Sequence, residues 1–355
     1  MKATIQTWKL MLQKAEPTLP LKTLQIPIEI LQYYIPDFSV SGWRKAGLQE
    51  NNLTVDVQFF LLGFQSSQQL KLSLFCLLLV VYCGTICGNL LIITLVFTSK
   101  NLHTPMYFFI SHLSISDIVL PTDIVPNTFH ILLNNGGTIT FYGCMTPFFF
   151  FSASEVFECL LLTVMSFDRY VAICNPFHYT SIMTRAHCVI STTMCWVLAF
   201  AIALIYSFTI SMLTFCRPNI IDHFFCDLIP LLEIACSSTY NNELEVYIVC
   251  LLVLFMAIII IISYVNIIVT ILRFQSSISR QKAFSTCSSH LIVVSIFYIT
   301  LLSVYFSPKG GQTLNLSKLL SLLYTVFTPL INPIIYSLRN KEIKKSLQEI
   351  INKCE

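Results

Sequence analysis

Charge is what this sequence has least of. Asp, Glu, Lys and Arg make up 11% of its 355 residues, against 55% apolar and 13% aromatic. A soluble domain carries about 25% charged residues, so this chain lacks the charge to cover a soluble surface. The shortage is also organised. No Asp, Glu, Lys or Arg falls between Lys71 and Lys100, Arg185 and Arg217, Glu245 and Arg273, Lys282 and Lys309, or Lys318 and Arg339. Each gap reaches the roughly 20 residues that a helix needs to cross hydrocarbon. Neither a G-x-x-x-x-G-K-[ST] loop nor an H-E-x-x-H helix occurs, which removes two common enzyme readings. The net charge of +3 gives no argument for a nucleic-acid partner.

Two further apolar stretches, about 105–131 and 145–173, carry a few acids each and bring the count to seven. The expected spans are about 72–98, 105–131, 145–173, 187–210, 244–272, 283–306 and 318–338. The runs are continuously apolar, whereas barrel strands would alternate over about ten residues. The expected fold is therefore an all-α membrane protein, a seven-helix transmembrane bundle over 71–338. Residues 339–355 alternate Lys344 and Lys345 with Ile343, Leu347 and Ile350, the pattern of a short amphipathic helix on the membrane face. Residues 1–70 form the N-terminal tail, of which 1–50 are proline-interrupted and read as a disordered extension. They hold no uninterrupted apolar core followed by a small-residue cleavage site, so no cleaved signal peptide is expected.

Orientation follows from basic residues. Lys100, Arg169, Arg185, Arg273, Arg280, Lys282 and the tail lie on one side, which is expected to be cytoplasmic. The glycosylation triplet at Asn52 then falls outside, as do Cys144, Cys216, Cys226 and Cys236. A second triplet begins at Asn315, and the sequence leaves its use open. Four loop cysteines on an oxidising side suggest disulfides, and four allow three pairings.

Ionisable residues inside spans are costly and need partners. Glu155 and Glu158 are three apart and share a helix face. Asp117 sits in span two, and Asn89 and Asn332 in spans one and seven. Asp168 and Arg169 stand side by side where span three ends. They read either as an interfacial anchor or as a latch that holds one helix against another.

Several stretches carry a resemblance. They are Leu102–Phe109, opening span two, Met165–Cys174, closing span three, and Ser263–Tyr264 in span five. Lys282–Leu291 opens span six, and Pro329–Asn340 ends span seven. In this order they resemble vertebrate olfactory receptors, members of the rhodopsin-like G-protein-coupled receptor family. Two departures are Ser166-Phe167, where the family has Ala and Tyr, and Ile299, where Gly commonly follows Phe-Tyr.

The resemblance implies an odorant receptor that is not an enzyme. It would sit in the plasma membrane, bind small and mostly apolar odorants, and activate a stimulatory heterotrimeric G protein. It implies disulfides Cys144–Cys226 and Cys216–Cys236. It implies a switch at Asp168, Arg169, Tyr170, Tyr264 and Tyr336, in which Arg169 also meets polar groups on span six at rest. It implies a mid-membrane cation site, for Na⁺ or a proton, at Asn89, Asp117, Glu158 and Asn332, and no other cofactor. Helical position and the resemblance together place the ligand pocket at Phe151, Ser152, Glu155, Val156, Ile248, Leu252, Tyr298, Leu301, Tyr305 and Thr325. Glu155 would meet a polar or basic ligand there, or else be satisfied locally by Ser152 or Thr325. Two other readings stand beside this one. A transporter would show inverted repeats, and none is found. A chemoreceptor on the same scaffold would sense a metabolite elsewhere in the body.

Overall fold

Each charge-poor stretch forms one long helix in the computed structural model, which describes residues 58–215, 219–305 and 313–354. The N-terminal extension, the triplet at Asn52 and Cys216 lie outside the described residues, as do the side chains of Tyr305 and Asn315. The helices are α1 (Gln68–Thr98), α2 (Pro105–Leu133), α3 (Phe141–Cys174), α4 (Arg185–Ser211), α5 (Tyr240–Leu272) and α6 (Ser277–Tyr305). The seventh, α7, runs as Thr313–Leu322, a π turn at Leu323–Phe327, and Thr328–Arg339. A final helix, α8 (Lys341–Cys354), follows directly.

Local chemistry sets the helix starts. Thr140 accepts a hydrogen bond from the Gly143 N–H at 3.1 Å, and Thr184 one from the His187 N–H at 3.2 Å. Each satisfies an amide that the first turn leaves without a partner. Pro105 opens α2, where its missing N–H costs nothing. Pro121 and Pro126 lie further along, and α2 continues through both.

Six of these helices are long and apolar enough to cross a bilayer, and α6 carries the shorter apolar stretch Cys287–Ser303. The bundle turns a broad apolar surface outward, as Val80, Phe97, Phe255 and Ile261 on α1 and α5 show. Such a surface requires lipid around it. Inward, one core joins α1 through α7, with Phe157 of α3 stacked on Trp196 of α4 at 3.7 Å between centroids.

A second, smaller core lies at one end of the bundle, beneath a three-stranded sheet. Its central strand β1 (Gln58–Leu61) pairs antiparallel with β2 (Gly137–Thr140) and parallel with β3 (Ile220–Ile221). Alternation along β1 buries Phe59 and Leu61 against that core. Gly63 follows at φ +62°, where a β-carbon would lie 2.6 Å from Ile131, so the turn requires glycine. At the opposite end, α8 buries Ile343 and leaves Lys344 and Lys345 outward. Its start is tied down by Asn340, which accepts from the Tyr107 hydroxyl at 2.9 Å and the Glu342 N–H at 3.0 Å.

Candidate functional site

Cys144, in the first turn of α3, is bonded to Cys226, 82 residues later. The bridge draws residues 223–229 down over the bundle, so the residues flanking Cys226 form a roof. His223 is buried within this roof. Its Nδ1 accepts from the Phe225 N–H at 3.4 Å, and burial pulls the imidazole down to about 3, leaving it neutral. Asp227 lies on the other flank. Burial raises its carboxyl to about 6, partly offset by the bond it accepts from the Leu228 N–H at 2.7 Å.

Beneath the roof is a narrow, partly open pocket. Phe151 and Glu155 of α3 form one wall and Leu301 of α6 another. Ser321, Tyr324 and Thr325 of α7 form the third, and Phe225, Asp227 and Ile229 close the top. The Phe151 ring meets Phe225 edge-on at 5.3 Å and Tyr324 at 6.2 Å, so aromatic faces make up much of the lining.

Deeper in the bundle lies a polar cluster. Asp117 and Glu158 are 1% and 2% exposed. Asn332 donates to both Asp117 oxygens, at 3.0 and 3.1 Å, and Ser116 donates to Glu158 Oε1 at 3.2 Å. Asn89 has a different duty. Pro333 has no N–H, so the carbonyl of Pro329, four residues earlier, loses its helical donor. Asn89 Nδ2 supplies the missing bond at 3.0 Å and locks α1 to α7. Gly88 beside it allows this approach, since a β-carbon would stand 3.2 Å from the Pro333 ring. The carbonyl oxygens of Asn89 and Asn332 are buried without a hydrogen-bond partner.

The third group lies at the far end of α3. Arg169 donates through Nε to Asp168 Oδ2 at 2.8 Å and through a second, shorter bond from its terminal nitrogen. Tyr179 donates to the other Asp168 oxygen at 2.8 Å. Across the helices, the Tyr264 hydroxyl lies 2.5 Å from His290 Nδ1, linking α5 to α6. Tyr336 of α7 is buried, and its hydroxyl has no hydrogen-bond partner.

The olfactory receptor family profile matches residues 75–354. The chain is 42% identical over 303 residues to olfactory receptor 5B21 of Mus musculus, covering 85% of this chain and 95% of the relative. It is 43% identical over 303 residues to olfactory receptor 10A7 of Homo sapiens, covering 85% and 96%. This chain belongs to the olfactory receptor family. The squid rhodopsin crystal structure superposes on it with a TM-score of 0.66 over 82% of this chain and 88% of that one, at 17% identity, which supports the fold. The olfactory receptor is a multi-pass membrane protein of the G-protein-coupled class and not an enzyme.

Of the pocket residues expected from sequence, the receptor's cavity brings together Phe151, Glu155, Leu301 and Thr325. Ser152 is buried beside them without lining the space, and Val156 and Tyr298 pack half-buried against the main core. Ile248 and Leu252 lie elsewhere. They are 50% and 46% exposed on the outward face of α5 and do not line the cavity. Lipid-facing and pocket-facing positions call for the same apolar side chains, so helical spacing did not separate them. Tyr305 lies outside the described side chains. Phe225, Asp227, Ile229, Ser321 and Tyr324 were missed. Adjacency to Cys226 was the available signal for the first two, and α7 spacing around Thr325 for the last two.

At the switch, Arg169 was expected to meet polar groups on span six as well as Asp168. Here it pairs with Asp168, while His290 of α6 is engaged by Tyr264. Tyr170 is half-buried against the main core. Cys144–Cys226 is formed. Cys236 is disulfide-bonded as well, and its expected partner Cys216 lies outside the described residues.

Proposed function

We propose that this receptor detects small, mostly apolar odorants in the cavity beneath Phe225 and relays their binding to a stimulatory heterotrimeric G protein. It does so in the plasma membrane, with its N-terminus outside and its basic tail in the cytoplasm. The observation that carries this reading is a cavity lined in part by Phe151, Phe225 and Tyr324 at one end of α3 and the Asp168–Arg169 pair at the other. One rigid helix therefore spans the distance between ligand and transducer. A ligand that packs better against one arrangement of α3, α6 and α7 shifts the population toward it. Release of Arg169 from Asp168 would then accompany the opening of a cleft for the G protein.

The cluster at Asp117 and Glu158 is proposed to hold Na⁺ or a proton. Two buried carboxylates and two buried amide oxygens without donors form a set of hard oxygen ligands, which suits Na⁺. Asn89, Asp117, Glu158 and Asn332 would hold it, and the ion would supply a positive charge that offsets the acids between α2, α3 and α7.

The test is a panel of volatile compounds applied to cells that display the full chain, with cAMP as the readout and surface tags scoring each terminus. Ligand-evoked cAMP is expected, with an N-terminal tag accessible on intact cells and a C-terminal tag accessible only after permeabilisation. Signalling through a different second messenger would overturn the stimulatory coupling. Both tags accessible from outside would overturn the topology.

A further inference from the structure

We propose that the ligands this receptor prefers are small alcohols, whose hydroxyl accepts a hydrogen bond from Ser321 and donates one to Thr325. The inference deepens the reading above and rests on it, since it takes the cavity beneath Phe225 as the ligand site. Serines in these helices commonly use their proton locally. Ser263, Ser295, Ser303 and Ser337 each donate to the carbonyl four residues back. Ser321 does not. It is 3% exposed, lines the cavity, and its hydroxyl has no hydrogen-bond partner. A buried hydroxyl left unpaired is costly, so this one calls for a guest that can reach it.

A second side chain fixes what that guest must carry. Thr325 lies one turn on, on the same face of α7 and in the same lining. It gives its own proton to the Ser321 carbonyl at 2.8 Å, so its oxygen can only accept from a guest. Glu155 and Tyr324 already have interactions of their own within the protein. Asp227 looks in from the roof, with one oxygen taken by the Leu228 N–H at 2.7 Å. The α7 wall therefore sets a hydroxyl that can give beside an oxygen that can only receive. A guest hydroxyl is the smallest group that answers both, accepting on its oxygen while donating its hydrogen.

The alternatives fit less well. A hydrocarbon leaves the Ser321 hydroxyl unpaired. An ether or a ketone accepts from Ser321 but brings no hydrogen to Thr325. A carboxylate guest would stand against Asp227. An ammonium only donates, so it makes no use of the Ser321 proton, and taking a full charge out of water costs far more than taking a hydroxyl.

The test uses the full chain in lipid nanodiscs, with empty nanodiscs to subtract partition into lipid. Tritiated n-hexanol and cyclohexanol are the probes, and their methyl ethers, cyclohexanone and cyclohexylamine are the competitors. At least one alcohol is expected to bind about tenfold or more tightly than its methyl ether. S321A should weaken alcohol and ether alike, by about three- to tenfold. T325V keeps the volume and removes the acceptor, so it should weaken the alcohol by about threefold or more and leave the ether within about twofold. The alcohol-to-ether ratio is read on the unsubstituted chain, so it decides even where a variant folds poorly. Ethers or the ketone binding as well as the alcohols, the amine binding more tightly than both, neither alcohol binding at all, or well-folded variants that bind both alcohols like the unsubstituted chain would each overturn the proposal. Alcohol binding with these preferences but without a cAMP response in cells would support the ligand class and remove the signalling reading instead.

Discussion

Lys318 Nζ lies 2.5 Å from Asp222 Oδ1, yet the two side chains see very different amounts of water, 2% exposed for the lysine and 38% for the aspartate. The same ammonium donates to the Gly63 carbonyl at 2.9 Å. One cation thus gathers the chain before α1, the roof segment and the start of α7. Losing the acid strands a buried charge, at a cost of about 3–5 kcal/mol. Losing the lysine leaves a carboxylate that water can reach, and a methionine can fill the space. D222N is therefore expected to lower the melting temperature in nanodiscs more than K318M does. Equal losses, or a larger loss for K318M, would show that the pair does not bear on stability in this way.

Lys318 also shows where sequence reasoning stops. In the sequence it marks only the start of the charge-free stretch that ends at Arg339. Burial and partner depend on Asp222, 96 residues away, and no local pattern predicts that contact. The spans themselves were legible, because lipid demands a continuous apolar run and charge marks its ends. The Asn-Asn-Gly-Gly run at 134–137 forms a turn, with Asn135 and Gly136 both at positive φ. The strands of the outer sheet are four residues or fewer, too short to show a period. The π turn at Leu323–Phe327 lies within an unbroken apolar run that reads equally well as α-helix. The cavity roof became visible only once the Cys144–Cys226 bridge was drawn.

The Tyr179 hydroxyl holds one Asp168 oxygen while Arg169 holds the other. A hydrogen bond to a charged group contributes about 1.5–3 kcal/mol. If this bond belongs to the resting arrangement, Y179F should loosen Arg169 and raise ligand-independent cAMP by about three- to tenfold. R169A should reach the surface in normal amounts and give no ligand-evoked cAMP. Surface labelling alongside the cAMP assay checks both. An unchanged baseline in Y179F together with a responsive R169A would reduce the group to an interfacial anchor.

The buried cluster around Asp117 makes a prediction about salt. A bound Na⁺ stabilises by RT ln(1 + [L]/Kd), so the ligand-free receptor should melt higher in sodium chloride than in choline chloride at equal ionic strength. About ten times the dissociation constant gives a stabilisation of about 1.4 kcal/mol by the same relation. D117N keeps the volume but removes a charge, and should abolish the difference between the two salts. A sodium effect that survives in D117N places the ion elsewhere, and no effect in the unsubstituted receptor leaves a proton as the occupant.

Asp227 gives a pH signature with an unusual sign. Its carboxyl is raised to about 6 by burial, above the usual value near 3.9. The folded receptor therefore holds this proton more tightly than the unfolded chain does. The contribution favours folding most at low pH and is lost as pH rises through about 6. His223 works in the opposite sense. Burial and the Lys318 charge hold its imidazole down at about 3, so its contribution is present above about 6.5 and falls away as pH drops. The raw melting curve mixes the two, but the difference between the unsubstituted receptor and D227N isolates the aspartate. The melting temperature of the unsubstituted receptor minus that of D227N is expected to be most favourable near pH 4 and to decline toward pH 7. A difference that stays flat across this range would mean that Asp227 is solvated and titrates like an ordinary surface acid.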